Sequence, residues 1–268
     1  PDRRPPKSRD KGEIDEVLKK YELKFPYVYT ANICGARIQL KTNSKHVADW
    51  WGLNWFSSKN SKPEGIVYVI NGVEGYESHL YYDLKRRVTV IVNSEYYGAA
   101  KSAGALGLAG VILGEEGKQP IHGACVGIEK KGVDEGIIII APTGTGKTAQ
   151  LHELLYNLPN TKVHSDDYVF VSFNKETVAE ATEKQLYMRT DIAEAHPTFI
   201  SLFHNLPLEN VVTRKEDCAQ KSEVEERMGS CYKAVIKGEK TCVFDRGADR
   251  CYWSYGNSRA MFPRYVFP

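Results

Sequence analysis

The stretch Ala141-Pro-Thr-Gly-Thr-Gly-Lys-Thr148 decides how this chain is read. It follows Gly136-Ile-Ile-Ile-Ile140, an apolar run that predicts a buried strand, and precedes Ala149-Gln-Leu-His-Glu-Leu-Leu155, whose apolar spacing predicts a helix. Strand, glycine-rich loop, Lys-Thr and helix together form a cradle for a triphosphate. Gly144 and Gly146 let successive backbone N–H groups turn inward toward phosphate oxygens, and the helix N-terminus adds the positive end of its dipole. Thr143, Gly144, Thr145, Gly146, Lys147 and Thr148 are therefore the candidate nucleotide-binding residues. Lys147 is placed to reach the β- and γ-phosphates and Thr148 to hold a divalent metal; as a loop lysine, Lys147 is expected to be exposed and to carry no core packing. The usual first glycine of the pattern is Ala141 here.

Composition bounds the rest. The chain has 268 residues, 42% of them hydrophobic, enough for a sizeable core in one large or two small domains. A net charge of +2 gives no pull toward nucleic acid or a membrane surface. Residues 1–12 are the exception: Arg3, Arg4, Lys7, Arg9 and Lys11 stand among prolines and read as a basic, disordered tail. No signal peptide is visible, and the longest apolar run, Ala103 to Gly114, is too short and glycine-rich to span a bilayer. Cys34, Cys125, Cys218, Cys231, Cys242 and Cys251 form no C-x-x-C pair and read as reduced thiols of a cytoplasmic protein.

Patterning predicts an α/β chain. Helices are expected over Ile14–Leu23 and over Tyr97–Leu113, the second with small residues on one side suited to close packing. Strands are expected at Arg37–Leu40, Ile66–Ile70, Val88–Val92, Ile121–Ile128, Thr161–His164, Tyr168–Phe173, Gln185–Met188, Asn210–Thr213 and Thr241–Phe244. His196-Pro197 breaks the chain direction, and the charged residues 214–230 read as a solvated excursion. A boundary at Glu115-Glu-Gly-Lys-Gln-Pro120 separates an expected N-terminal α/β lobe, residues 13–118, from a nucleotide-binding lobe, residues 119–268.

Phosphoryl transfer needs metal ligands, cations for the transferring group and a base for the acceptor's proton. Asp166-Asp167 follows a short strand, and two adjacent carboxylates at a strand end can divide the work of metal ligand and proton acceptor. Ser165-Asp-Asp is also common turn chemistry. His122 starts the strand that enters the loop's hairpin, so strand pairing is expected to bring it to the phosphate end of the sheet. Arg259 supplies a planar fork suited to two phosphoryl oxygens.

Taken in order, these motifs resemble the ATP-dependent phosphoenolpyruvate carboxykinases and their smaller relatives, the HPr kinases. Gly144-Thr-Gly-Lys-Thr148 resembles the carboxykinase S-G-T-G-K-T, and Ile121-His-Gly123 resembles the carboxykinase M-H and the HPr kinase H-G. Asp166-Asp167 resembles the paired aspartates of both families. Glu183-Lys-Gln-Leu-Tyr-Met-Arg189 is similar to E-G-G-C-Y-A-K, Leu208-Glu-Asn-Val211 to L-E-N-V, and Asn257-Ser-Arg-Ala-Met-Phe-Pro263 to N-T-R-x-x-Y-P. Upstream, Tyr96-Tyr-Gly-Ala-Ala-Lys-Ser102 resembles Y-A-G-E-M-K-K, and Asp49-Trp-Trp-Gly52 echoes a W-W segment. The resemblance implies His122 and Asp167 as metal ligands, Asp166 as the base, Arg259 as a contact of the phosphoryl group, and Arg37, Lys101, Glu183 and Arg189 as substrate-binding residues. It departs at Ser102, where the family has a second lysine, and at Gly35-Ala-Arg37, which reduces the family's G-R-S-P segment.

The implied fold is a carboxykinase-like P-loop fold with mixed sheets and a small N-terminal α/β lobe. The expected activity is ATP-dependent transfer of the γ-phosphoryl group, with Mg2+ or Mn2+, to a hydroxyl of a small-molecule acceptor. A true carboxykinase, with Arg37 and Lys101 holding a carboxylate, is the second reading, and an HPr kinase-like protein kinase the third. The fourth is a non-catalytic nucleotide-binding module or ordinary P-loop NTPase whose metal-site residue is Asp245.

Overall fold

The fold was obtained as a computed structural model. The structure describes residues 8–10, 14–21, 25–59, 62–130, 133–142, 145–189, 208–209, 233–237, 240–245 and 259–263. The chain forms two compact units, Pro1–Leu186 with Pro263–Pro268, and Tyr187–Phe262.

The first unit opens with a mixed seven-stranded sheet. Its strands are β1 (Ser8–Asp10), β2 (Tyr27–Ile33), β3 (Ala36–Thr42), β4 (Phe56–Ser57), β5 (Gly65–Ile70), β6 (His79–Asp83) and β7 (Val88–Val92), in the order β1-β6-β7-β5-β3-β2-β4. β1 with β6, β3 with β5 and β5 with β7 are parallel; the other pairs are antiparallel. β7 lies between β6 and β5 and is buried along its whole length, which explains its unbroken Val-Thr-Val-Ile-Val. β3 instead alternates, burying Ala36, Ile38, Leu40 and Thr42.

Helix α1 (Ile14–Lys20) packs Ile14 and Val17 against Ile70, Tyr81, Val88 and Val90. Helix α2 (Lys45–Asn54) starts at Ser44, whose Oγ accepts from the Val47 N–H at 3.2 Å. It buries Trp50 and Trp51, which meet Trp55 edge to face at ring-centroid distances of 6.1–6.2 Å. The expected helix at Tyr97–Leu113 is α3, π-helical over Ala99–Leu106 and α-helical over Gly107–Glu115. Its small residues do allow close approach: a Cβ on Gly104 would stand 3.0 Å from Cγ1 of Val67. α3 packs on β3 and β5 of the first sheet and on β8 (Lys118–Lys130) of the second.

The second sheet is antiparallel and is organised by β8. Its other strands are β9 (Val133–Ile140), β10 (Thr161–Ser165), β11 (Tyr168–Phe173) and β12 (Thr177–Ala181). β8 changes partners midway. Residues 118–122 pair with β11, residues 123–130 with β9, and residues 125–128 with β10. Helix α4 (Lys147–Asn157) lies on the face presented by Ala124 and Val126, where Leu151 is buried with Ile139, Leu154 and Val163 around it. Cys125, Val169 and Val171 are buried together with Ile121 and Ile138 around them. β13 (Gln185–Arg189) follows.

In the second unit, Leu208–Glu209 (β14) pairs antiparallel with β17 (Arg259–Pro263) in the register Leu208↔Ala260, and Lys233–Lys237 (β15) pairs with Lys240–Asp245 (β16). The tail, His196-Pro197, residues 214–230 and the expected strand Asn210–Thr213 lie outside the described residues, apart from Ser8–Asp10 of the tail, which is β1. The chain is thus α/β with mixed and antiparallel sheets, and among the described residues no helix is long and apolar enough to cross a membrane. Strands β1, β2, β4, β6, β12, β14, β15 and β17 and helix α2 were not expected. α2 does carry a helical stripe, Val47, Ala48, Trp50, Trp51 and Asn54, but it is only ten residues long and was not read as a helix.

Candidate functional site at the switch in β8

The partner change in β8 builds the site. His122 is the last β8 residue paired with β11, opposite Tyr168, and Gly123 is the first paired with β9, opposite Ile140. The end of β9, where the loop at 141–146 begins, is therefore fastened beside His122. Gly123 is required at this crossing: a Cβ there would stand 3.0 Å from the Ile139 carbonyl and from Cγ2 of Ile138. Period-two alternation puts His122 on the face that Ala124 and Val126 present to α4. β10 and β11 both pair with β8, so the turn between them, Asp166-Asp167, is held at the same switch.

Ser165 carries the turn chemistry. Its Oγ accepts from the Asp167 N–H at 3.3 Å and the Tyr168 N–H at 3.1 Å, and donates to the Tyr168 carbonyl at 2.9 Å. The Asp167 carboxylate is left for the site. Its Oδ1 accepts from Lys147 Nζ at 3.0 Å and lies 2.9 Å from His122 Nε2, so the imidazole tautomer that makes this bond carries its proton on Nε2. Its Oδ2 accepts from Lys101 Nζ at 2.9 Å. Lys101 lies on the π-helical part of α3 with only 5% of its side chain exposed, and its ammonium also pairs with Glu183 Oε2 at 3.0 Å. Burial disfavours the charge on Lys101, but Asp167, Glu183 and Asp166 outweigh it and hold the ammonium pKa well above the ordinary lysine value. Lys101 acts most strongly on Asp167, and with His122 and Lys147 it holds that carboxyl far below the usual range against the cost of burial. Glu183 goes the other way. Burial, followed by the charges of Asp166 and Asp167, outweighs Lys101 and pushes it to about 7.

The loop itself is described on either side of Thr143 and Gly144, which lie outside the described residues. Thr145 closes back on Pro142 through its N–H at 3.3 Å and its Oγ1 at 2.7 Å. Gly146 has φ 99, a left-handed conformation open to glycine, and α4 begins directly after it, with no side-chain cap bond from its N-cap residue, which is Gly146 itself. Lys147 differs from expectation. Only 10% of its side chain is exposed, because the first turn of α4 lays it against Asp167. Thr148 is half-buried in the same turn.

The structure therefore brings together Lys101, His122, Lys147, Asp167 and Glu183, with Asp166 buried beside them. Arg37 makes none of these contacts. Its Nε donates to the Lys62 carbonyl at 3.0 Å and its guanidinium pairs with Glu64 at 3.3 Å. Arg189, Arg259 and Asp245 lie in strands, but their side chains fall outside the described residues. Sequence reading missed Asn54, whose Nδ2 donates to Glu183 Oε1 at 3.1 Å. The Trp-Trp echo at 50–51 lies on the same helix but did not single Asn54 out.

Among the described residues no group of three or more His, Cys, Asp and Glu side chains is placed to hold a metal ion. No protein-family model matches the chain, and no curated protein matches it.

Proposed function

We propose that this chain is a metal- and ATP-dependent phosphotransferase of carboxykinase-like P-loop fold that moves the γ-phosphoryl group to a hydroxyl of a small cytoplasmic molecule. The observation that carries this reading is the convergence of Lys101, His122 and Lys147 on one carboxylate, Asp167, at the start of α4. A helix start after a left-handed glycine offers N–H groups to phosphate oxygens.

The donor set suits magnesium or manganese. Asp167 offers a carboxylate, Thr148 a hydroxyl and His122 an imidazole, and such ions are commonly held by one or two carboxylates together with substrate phosphates. A metal that arrives with its nucleotide needs no larger protein cluster. When bound, it supplies charge neutralisation between the phosphates.

The chain's own groups do the rest. Lys147 and the first N–H groups of α4 bind and orient the phosphates. Asp166 takes the acceptor's proton, with Asp167 next to it engaged by cations and so unsuited to that task. The kinase reading is favoured over the carboxykinase one because the two cations offered to a carboxylate substrate are already engaged, Arg37 by Glu64 and Lys101 by two acidic side chains.

The test is a screen of hydroxyl-bearing metabolites and phosphoenolpyruvate with ATP and Mg2+ or Mn2+, read by mass spectrometry of phosphate transfer, wild type against Lys147→Ala. Absence of transfer together with equal ATP affinity in both proteins would sink the reading. Release of carbon dioxide from oxaloacetate would replace it by the carboxykinase. Arg259→Lys, which keeps the charge but loses the fork, is expected to lower turnover more than nucleotide affinity.

A further inference from the structure

The groups around Asp167 are continued into the fold by a buried chain of contacts. Glu183 is buried, and its two oxygens have separate partners: Oε1 accepts from Asn54 Nδ2 at 3.1 Å and Oε2 pairs with Lys101 Nζ at 3.0 Å. Asn54 is the last residue of α2 and is wholly buried. The segment after Glu183 is fastened to the same helix end. The Lys184 N–H donates to the Asn54 carbonyl at 2.9 Å, Lys184 Nζ to the Gly52 carbonyl at 2.6 Å, and Gln185 Nε2 to the Leu53 carbonyl at 3.2 Å. These are the carbonyls a helix leaves without partners at its C-terminus, and the Lys184 ammonium also meets the negative end of the helix dipole. The end of α2 is thus locked against residues 183–185, Asn54 is held on Glu183, Glu183 on Lys101, and Lys101 on Asp167.

We propose that Asn54 and Glu183 are positioning residues of the phosphoryl-transfer site: Glu183 shares the Lys101 charge that Asp167 would otherwise bear alone, and Asn54 aims Glu183 to do so. This rests on the reading of the site given above. With Glu183 ionised, the carboxylates of Asp166, Asp167 and Glu183 outnumber the ammonium groups of Lys101 and Lys147, and Asp167 keeps negative charge for a divalent cation. Without Glu183 the two lysines balance the two aspartates, and the full Lys101 charge falls on them. Both Glu183 oxygens are engaged inside the protein, which argues against the direct substrate contact that the sequence motif implies.

The experiment is an Mn2+ titration of the full chain at pH 8 with saturating ATP, read by the paramagnetic resonance of free Mn2+, on wild type, Glu183→Gln and Asn54→Ser. Metal-free ATP affinity and a thermal melt are measured on each. Glu183→Gln is expected to weaken Mn2+ binding about 10–100-fold, the range found when outer-shell partners of a metal site are changed. Asn54→Ser, which removes no charge, is expected to act in the same direction and less. Metal-free ATP affinity should not fall in either. Unchanged Mn2+ affinity in the folded variants overturns the proposal. So does a parallel loss of Mn2+ and metal-free ATP, which would mark general damage to the fold. If Glu183→Gln does not fold, Asn54→Ser decides alone. A wild type that binds no Mn2+ with ATP and does not differ from Lys147→Ala overturns the kinase reading itself, an outcome distinct from the other two.

Discussion

Lys101 and Asp167, 66 residues apart in sequence, form an ion pair of 2.9 Å between the π-helical part of α3 and the turn after β10. The pair ties the helix that packs on both sheets to the carboxylate on which His122 and Lys147 also rest. If the proposed function holds, variants of this cluster are expected to act on stability and on phosphate chemistry together, and the two effects separate by where each partner sits.

Lys147→Ala removes the cation closest to the start of α4. Phosphoryl transfer is expected to fall on the order of 10²-fold or more, the size of effect seen when one stabilising donor at a developing charge is lost. Because Lys147 is mostly covered and paired with Asp167, a measurable drop in stability should accompany it. Turnover with the identified acceptor, beside a denaturant melt, checks both. Unchanged turnover in a folded variant would remove the phosphate-loop assignment.

Asp167→Asn and Asp166→Asn should differ in kind. Asp167→Asn takes a charge from Lys101, Lys147 and His122 and should weaken metal–nucleotide binding about tenfold or more. It should also destabilise the fold, by less than the roughly 3–5 kcal/mol of a fully buried pair, because Asp167 is a third exposed and Lys101 keeps Glu183. Asp166→Asn should leave nucleotide binding nearly intact and lower the chemical step. Equal loss of metal–ATP binding in the two variants would mean that both aspartates serve the metal and that the base is elsewhere.

The pH dependence of stability has a component with a definite sign. Glu183 is raised from 4.5 to about 7 by burial and by its neighbouring aspartates. The folded state then binds more protons than the unfolded state between these values, so this contribution to stability is complete below the unfolded pKa and is lost as pH rises through about 7. Asp167 acts oppositely: its depressed pKa stabilises the fold above the ordinary aspartate range, and that stability is lost on acidification. Denaturant midpoints of wild type and Glu183→Gln from pH 5 to 8 should show the wild type losing ground to the variant as pH rises. A difference that is flat over this range would contradict the assignment.

Gly123→Ala tests the switch in β8. The added methyl meets the Ile139 backbone carbonyl and Ile138 at 3.0 Å, and the carbonyl belongs to the paired strand β9 and cannot swing away. A loss of about 1–3 kcal/mol is expected, as for overpacking elsewhere in a core. The readouts are the thermal midpoint and ATP affinity, which should fall together because the same crossing seats the start of the loop. A variant as stable as wild type would mean that β8 and β9 separate there without cost.

Much of the site was legible in local sequence. The apolar run before Ala141, the glycines, Lys147 and the apolar spacing after it announce strand, loop and helix, because backbone freedom and side-chain period act over neighbouring residues. Asp166-Asp167 at a strand end was legible for the same reason, and the hairpin pairing that carries His122 to the loop followed from two adjacent strands. The strand before the loop is not the buried one expected, however: among the described residues β9 pairs with β8 alone, and Ile137 and Ile140 are exposed. What the sequence could not show was which groups compensate one another. Lys101 and Glu183 read as substrate contacts, yet in the fold each is buried and satisfies the other's charge; Lys147 reads as an exposed loop lysine, yet is covered by its bond to Asp167. Asn54 carried no signal, since its role exists only once the end of α2 meets residues 183–185. Local pattern determines which elements form and which chemistry they carry. The balance of burial and charge that decides whether a lysine or a glutamate faces solvent, substrate or another side chain depends on partners far away in sequence, and the packing of α2 and α3 against the two sheets sets it.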